Sequence, residues 1–320
     1  MKKKLIAMLL SAAMCLSLAA CGQKADTPDT TDPAEPSGDA ATYTVGICQL
    51  VQHEALDAAT QGFIDALNEA LPGQVKIEEK NASGDSNSCA TIVNGFVSEG
   101  VDLIMANATA ALQAAASATS DIPVLGTSIT AYGVALDIDD FSGTVGGNVS
   151  GTSDLADLSK QADMITEWFP ETQKVGLLFC SAEPNSRYQI EEVAKNLSAK
   201  GIETKEFAFT DTNDVSSVTQ AACDWADVIY VPTDNTVANN TEIVNNICQP
   251  AGVPVVAGEE GIMSGCGVAT GKMAAKILTG ESKVEEMPIE YAPEFTKEYN
   301  PTIAEALGIT IPDDYVAYEG

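Results

Sequence analysis

The chain has few cations and only one histidine. Against 46 aspartates and glutamates it carries 16 lysines and arginines, for a net charge of −30, and its single arginine and single histidine are Arg187 and His53. Nucleic acid and anionic membrane faces are held by cationic surfaces, so this balance argues against both as partners. One histidine excludes a zinc site built on several, and neither H-E-x-x-H nor the G-x-S-x-G nucleophile elbow occurs. With no C-x-x-C pair either, the sequence offers no recognisable metal, cofactor or catalytic motif. His53 is then left to line a pocket mouth or to mark a helix entry.

The amino terminus reads as a targeting segment. Lys2, Lys3 and Lys4 precede an apolar run from Leu5 to Leu18, and LAAC follows at Leu18 to Cys21. That run is too short to span a bilayer. Residues 1–21 are therefore expected to be a signal peptide ending in a lipobox, with Cys21 acylated and the protein held at the outer face of a cell membrane. Residues 22–42 contain Pro, Asp, Thr and Ala but no large apolar side chain, so they are expected to form a disordered tether with a reach of about 25 Å.

From Tyr43 onward the sequence repeats its own pattern. TYTVGICQL, VKIEEKNA, VDLIMANA and IPVLGTS read as strands separated by helical segments, and QKVGLLFCS, IETKEFAF, ADVIYVPTD and VPVVAGEE repeat the order. Val45 and Val175, like Pro123 and Pro254, stand about 130 positions apart. Two halves with the same β-α-β-α-β-α-β order imply an α/β protein of two doubly wound, Rossmann-like parallel sheets. The expected lobes are residues 43–151 with 271–282, and residues 152–269 with 288–320, joined by a three-crossing hinge near GTSD, VATG and MPIEY.

In such sheets ligands bind beyond the carboxyl ends of the strands, where free N–H groups and helix dipoles point outward. In the first half these positions hold Gln49, His53, Asn107, Thr109, Thr127 and Ser128, with Ser153 at the first crossing. In the second they hold Ser181, Asn185, Ser186, Thr233, Asp234, Asn235 and Glu259. Six cysteines follow Cys21; Cys48 and Cys180 occupy matching strands and read as buried fillers. Trp168 and Trp225 fall at apolar helical spacing and read as core residues.

Taken in order, GICQLVQHEALDAATQGF, ALQAA with DIPVLGTSIT, GGNVSGTSD, PTDNTVANN and PVVAGEEG resemble the tryptophan-binding, TrpX-like substrate-binding lipoproteins of ABC transporters, over Tyr43 to Pro312. The resemblance implies a type I periplasmic-binding fold and a monomer that captures an amino-acid-like solute, aromatic in several members, for delivery to permease subunits. A ligand-sensing receptor subunit and an extracellular enzyme on the same scaffold are the alternatives. For an amino acid, Asp234 and then Glu259 are the expected ammonium acceptors. Thr109, Ser128, Ser181 and Ser186 are the expected carboxylate donors, with Arg187 as either a bidentate partner or a solvated helix-face charge. After GCGVAT this chain lacks the tyrosine-rich crossover usual in the family and continues at once into GKMAAKILTG. The expectation is a short last helix from Lys272 to Leu278, an altered hinge and weaker binding.

Overall fold

The computed structural model describes residues 43–258, 263–291 and 296–318. The leader, Cys21 and the tether lie outside them, as does Glu259. The first half runs β1 (Tyr43–Gln49), α1 (Glu54–Ala70), β2 (Val75–Asn81), α2 (Ser86–Glu99), β3 (Leu103–Asn107), α3 (Thr109–Ala118), β4 (Val124–Ile129), α4 (Tyr132–Ala135) and β5 (Val149–Ser153). The second runs α5 (Leu158–Trp168), β6 (Lys174–Cys180), α6 (Pro184–Ala199), β7 (Glu203–Phe209), α7 (Val215–Cys223), β8 (Val228–Val231), α8 (Asn235–Ala238), α9 (Thr241–Ala251) and β9 (Val255–Ala257). Beyond it come α10 (Met263–Leu278), β10 (Glu290–Tyr291), β11 (Glu298–Tyr299), α11 (Pro301–Leu307) and β12 (Val316–Ala317).

The strands form two main parallel sheets. One has the order β10-β5-β4-β3-β1-β2 and the other β7-β6-β8-β9, while β11 and β12 pair separately. The central strands are buried on both faces, hence the nearly unbroken apolar runs at Leu103–Asn107 and Val228–Val231. In the first lobe Val45, Ile47, Leu103 and Met105 pack against Phe63, Leu67 and Met273 of α1 and α10. The opposite face packs on Phe96 and Leu112 of α2 and α3. In the second lobe Leu177 and Phe179 meet Ile190 and Val193 of α6, while Leu178 and Ile229 meet Val215 and Val244 of α7 and α9.

Three boundaries differ from the sequence reading. Thr152 and Ser153 belong to β5 of the first sheet, so the chain leaves that lobe after Ser153. β10 also pairs with β5, which puts Glu290 and Tyr291 on the first lobe; only β11, α11 and β12 lie against the second. There Tyr315 packs edge-on against Trp168 at 4.7 Å and Lys297 reaches Glu167 at 3.0 Å. Trp168 and Trp225 are half-buried rather than core residues, the latter tilted against Phe207 at 5.9 Å.

The largest correction concerns α10. It is a continuous helix of 16 residues beginning at Met263, longer than the 11 residues of α5. Glycines that suggest a loop in the sequence are here the means of close approach. A Cβ on Gly267 would fall on the Ala59 carbonyl of α1, and one on Gly271 would come within 2.6 Å of the Phe63 carbonyl. Thr270 turns its hydroxyl to Thr152 at 2.9 Å, fixing the helix to β5. Residues 263–269 are therefore part of the first lobe, contrary to the expected boundary.

Candidate functional site

At the carboxyl ends of β1 and β3, buried polar side chains bind each other. Gln49 donates to Asp57 at 2.6 Å and to the Val51 carbonyl at 2.8 Å, and accepts from Thr60 at 2.6 Å. Asn107 donates to Thr60 and to the Leu56 carbonyl, both at 2.9 Å. This network fastens the start of α1 to two strands, so Gln49 and Asn107 are engaged internally. Thr127 accepts from Thr152 at 3.3 Å, and Thr109 is buried at the first position of α3. Ser153 donates to the Thr130 carbonyl at 2.9 Å.

In the second lobe a residue missed by sequence reasoning organises the loops. Glu183, buried ahead of α6, accepts from the backbone N–H and side chain of Asn235 at 3.0 and 2.7 Å, and from the N–H and hydroxyl of Thr236 at 2.9 and 2.8 Å. A carboxylate at the N-terminus of α8 satisfies donors that the helix cannot. Asp234 caps the same helix: one oxygen accepts from Val237 N–H at 2.8 Å and the other from Cys180 N–H at 2.7 Å. Burial, then the neighbouring Glu183 charge, push its carboxyl up to about 7. With both oxygens held by the backbone, Asp234 is poorly placed for the ammonium role expected of it.

Other expected residues are also hydrogen-bonded within the lobe, although Asn185 and Thr233 still border the space between the lobes. Ser181 is exposed and donates to the Phe209 carbonyl at 3.0 Å. Asn185 donates to the Thr233 carbonyl at 2.8 Å, which Ser186 also faces at 3.5 Å, and Thr233 donates to Gln189 at 2.7 Å. Arg187 pairs with Glu206 at 2.7 Å and lies over the Phe179 ring at 4.6 Å, so the helix-face reading of this residue holds.

The lobes meet where His53 Nε2 lies 3.2 Å from Asn235 Oδ1. Because the Asn235 amide nitrogen is committed to Glu183, its oxygen is the atom facing His53, and the imidazole carries its proton on Nε2. Burial lowers the His53 pKa, which keeps the ring neutral in this contact. His53 also precedes α1 without making a side-chain cap.

Between the lobes remains a space of about 10 Å³, lined by His53, Ser128, Thr130, Asp154, Asn185, Thr233, Asp234, Asn235 and Ala238. That is room for about one water. Two of its walls are short of partners. Among the described residues, the buried hydroxyl of Ser128, whose φ of 56° turns it out of the strand, has no hydrogen-bond partner, and neither oxygen of the buried Asp154 has one. Burial pushes the Asp154 carboxyl up to about 6; Thr130 and its own backbone N–H are near enough to offset the rise in part, though neither meets hydrogen-bond geometry. Asp154 directly follows β5, the same strand-end position that selected the other candidates, and that rule could have found it.

A larger groove, of about 980 Å³, runs along the free edge of β9 beneath α11 and against α5. It lies on the second lobe alone, lined mainly by apolar side chains such as Met164, Phe169, Ile303 and Leu307. The smaller space has the convergent polar groups and the strand-end position of a binding site.

Known proteins are similar to this chain in sequence and fold. Over 306 residues the chain is 30% identical to the tyrosine-binding protein of Clostridioides difficile (strain R20291), covering 90% of this chain and 87% of that one. A Streptococcus pneumoniae ABC domain solved in complex with L-Trp is 33% identical, with a TM-score of 0.80 over 86% of this chain and 97% of that one. A ligand-free, open substrate-binding protein from Clostridium difficile, also 33% identical, gives a TM-score of 0.64 over 87% and 100%. The fold is that of the type I periplasmic binding proteins. A family model described as ABC transporter substrate binding protein matches residues 44–319, and the chain belongs to that family.

Proposed function

We propose that this protein captures an aromatic amino acid, tyrosine or tryptophan, in the cleft between its lobes and presents it to an ABC permease outside the cytoplasm. The observation that carries the reading is Asp154, a buried carboxylate facing the cleft whose two oxygens have no hydrogen-bond partner among the described residues. An unpaired buried anion is costly, and a ligand ammonium is the cation that would relieve it. Ser128, with its unused hydroxyl in the same wall, is the donor for the adjoining ligand carboxylate. The names of the relatives support the aromatic class.

A space of about 10 Å³ admits no amino acid, so ligand entry requires the lobes to part at the three crossings and the His53–Asn235 contact to break. Closure on a bound ligand would then select an arrangement less tightly shut than this one, with room left for the solute. The role is binding without chemical conversion, by a monomer anchored through the lipid on Cys21.

Calorimetry with tyrosine, tryptophan and phenylalanine, beside their analogues lacking the amino group, tests the assignment. The amino acids should bind at least tenfold more tightly, since a hydrogen bond to a charged group contributes about 1.5–3 kcal/mol. Absence of binding by all three amino acids would overturn it. For the anchor, Cys21→Ala should move the protein from the membrane to the soluble fraction with its fold intact; continued membrane retention counts against acylation.

A further inference from the structure

The structure assigns a redox-active pair outside the cleft: we propose that Cys223 and Cys248 form a thiol–disulfide couple that ties α7 to α9. Their sulfurs lie 3.5 Å apart, with Cys223 at the last position of α7 and Cys248 inside α9. The two helices share one face of the second sheet. A disulfide needs about 2.05 Å between sulfurs, so the thiols are in contact and a small approach closes the bond.

Access distinguishes this pair from another. Cys48 and Cys89 also share a hydrogen bond, but both are fully buried. Cys223 is partly exposed, whereas Cys248 is covered. The order of events follows from that difference. The Cys223 thiolate attacks one sulfur of a low-molecular-weight disulfide, forming a mixed disulfide and releasing one thiol. The Cys248 thiolate then displaces the second thiol. Two cysteine thiols are oxidised, one external disulfide is reduced, and both protons leave on the released thiols. Burial raises both thiol pKa values, which makes the exchange slow at neutral pH and faster in alkali.

The bond would close a loop containing β8 and α8, hence Thr233, Asp234 and Asn235 at the cleft. It would therefore constrain the unfolded chain around the segment that supplies the second lobe's cleft residues. This inference stands apart from the ligand assignment.

The test uses the folded protein and oxidised glutathione, with intact-mass and non-reduced peptide mapping. A loss of about 2 Da and a linked Cys223–Cys248 peptide, reversed by dithiothreitol, are expected from the displacement of two hydrogens. Cys248→Ser should instead accumulate glutathione on Cys223, because no second thiol remains to displace it. Stable glutathionylation of Cys223 in the unaltered protein, recovery of only unmodified thiols at both positions, or preferential linkage of Cys48 to Cys89 would each overturn the proposal.

Discussion

Replacing Asp154 with asparagine keeps the shape of the side chain and removes its charge, so the effect should appear as a change in pH dependence. The Asp154 carboxyl is raised from 3.8 to about 6 by burial. Between those values the native state retains a proton that the unfolded state has released. Stability contributed at this position is therefore present below pH 4, falls as pH rises toward 6 and is flat above it. A shift of about two units corresponds to about 3 kcal/mol. The substituted side chain would leave an unpaired amide, but that cost of about 1–3 kcal/mol does not vary with pH. Urea unfolding of both proteins from pH 4 to pH 8 separates the two contributions, since carboxylates that do not interact with Asp154 cancel in the difference. The variant should gain about 3 kcal/mol on the unaltered protein across this range, and its affinity for tyrosine or tryptophan at pH 7.5 should fall at least tenfold, the loss of a charged hydrogen bond. A stability difference that does not change with pH would refute the argument from burial; unchanged affinity would refute the ammonium role.

Four further outcomes follow from the geometry. Asp234→Ala should destabilise the fold by about 1–3 kcal/mol in denaturant melts, because two backbone N–H groups lose their acceptor. His53→Ala should raise the ratio of open to closed molecules about fivefold in small-angle scattering or distance measurements, the equivalent of one hydrogen bond of about 1 kcal/mol. The neutral ring favoured by burial also means that lowering the pH below the His53 pKa should favour opening, and that its NMR titration midpoint should lie below 6.5. Gly267→Ala should lower the melting temperature measured by circular dichroism, at a cost of about 1–3 kcal/mol, because the added methyl meets the Ala59 backbone.

The doubled strand order could be read because buried parallel strands leave dense apolar runs at a nearly constant interval. α10 could not, since Gly265, Gly267 and Gly271 weaken helix propensity locally, and Gly267 and Gly271 gain their meaning only from the surface of α1. The rule that ligands collect at strand ends selected His53, Ser128, Asn185, Thr233, Asp234 and Asn235, which line the space between the lobes. It could not distinguish them from Gln49, Asn107 or Ser181, whose hydrogen bonds turn elsewhere, because that choice depends on partners distant in sequence. The His53–Asn235 contact joins positions 182 residues apart. Glu183 was hidden for the same reason: its donors come from a loop more than 50 positions downstream.

The hold of Glu183 on Asn235 and Thr236 also bears on kinetics. The loop of Asn235 and Thr236, which borders the proposed cleft, is already ordered by four hydrogen bonds to one carboxylate before any solute arrives. A solute meeting it has little side-chain or loop freedom to freeze, so encounter is limited by how often the lobes stand apart. Competing amino acids would then arrive at similar rates and be told apart by how long each one stays.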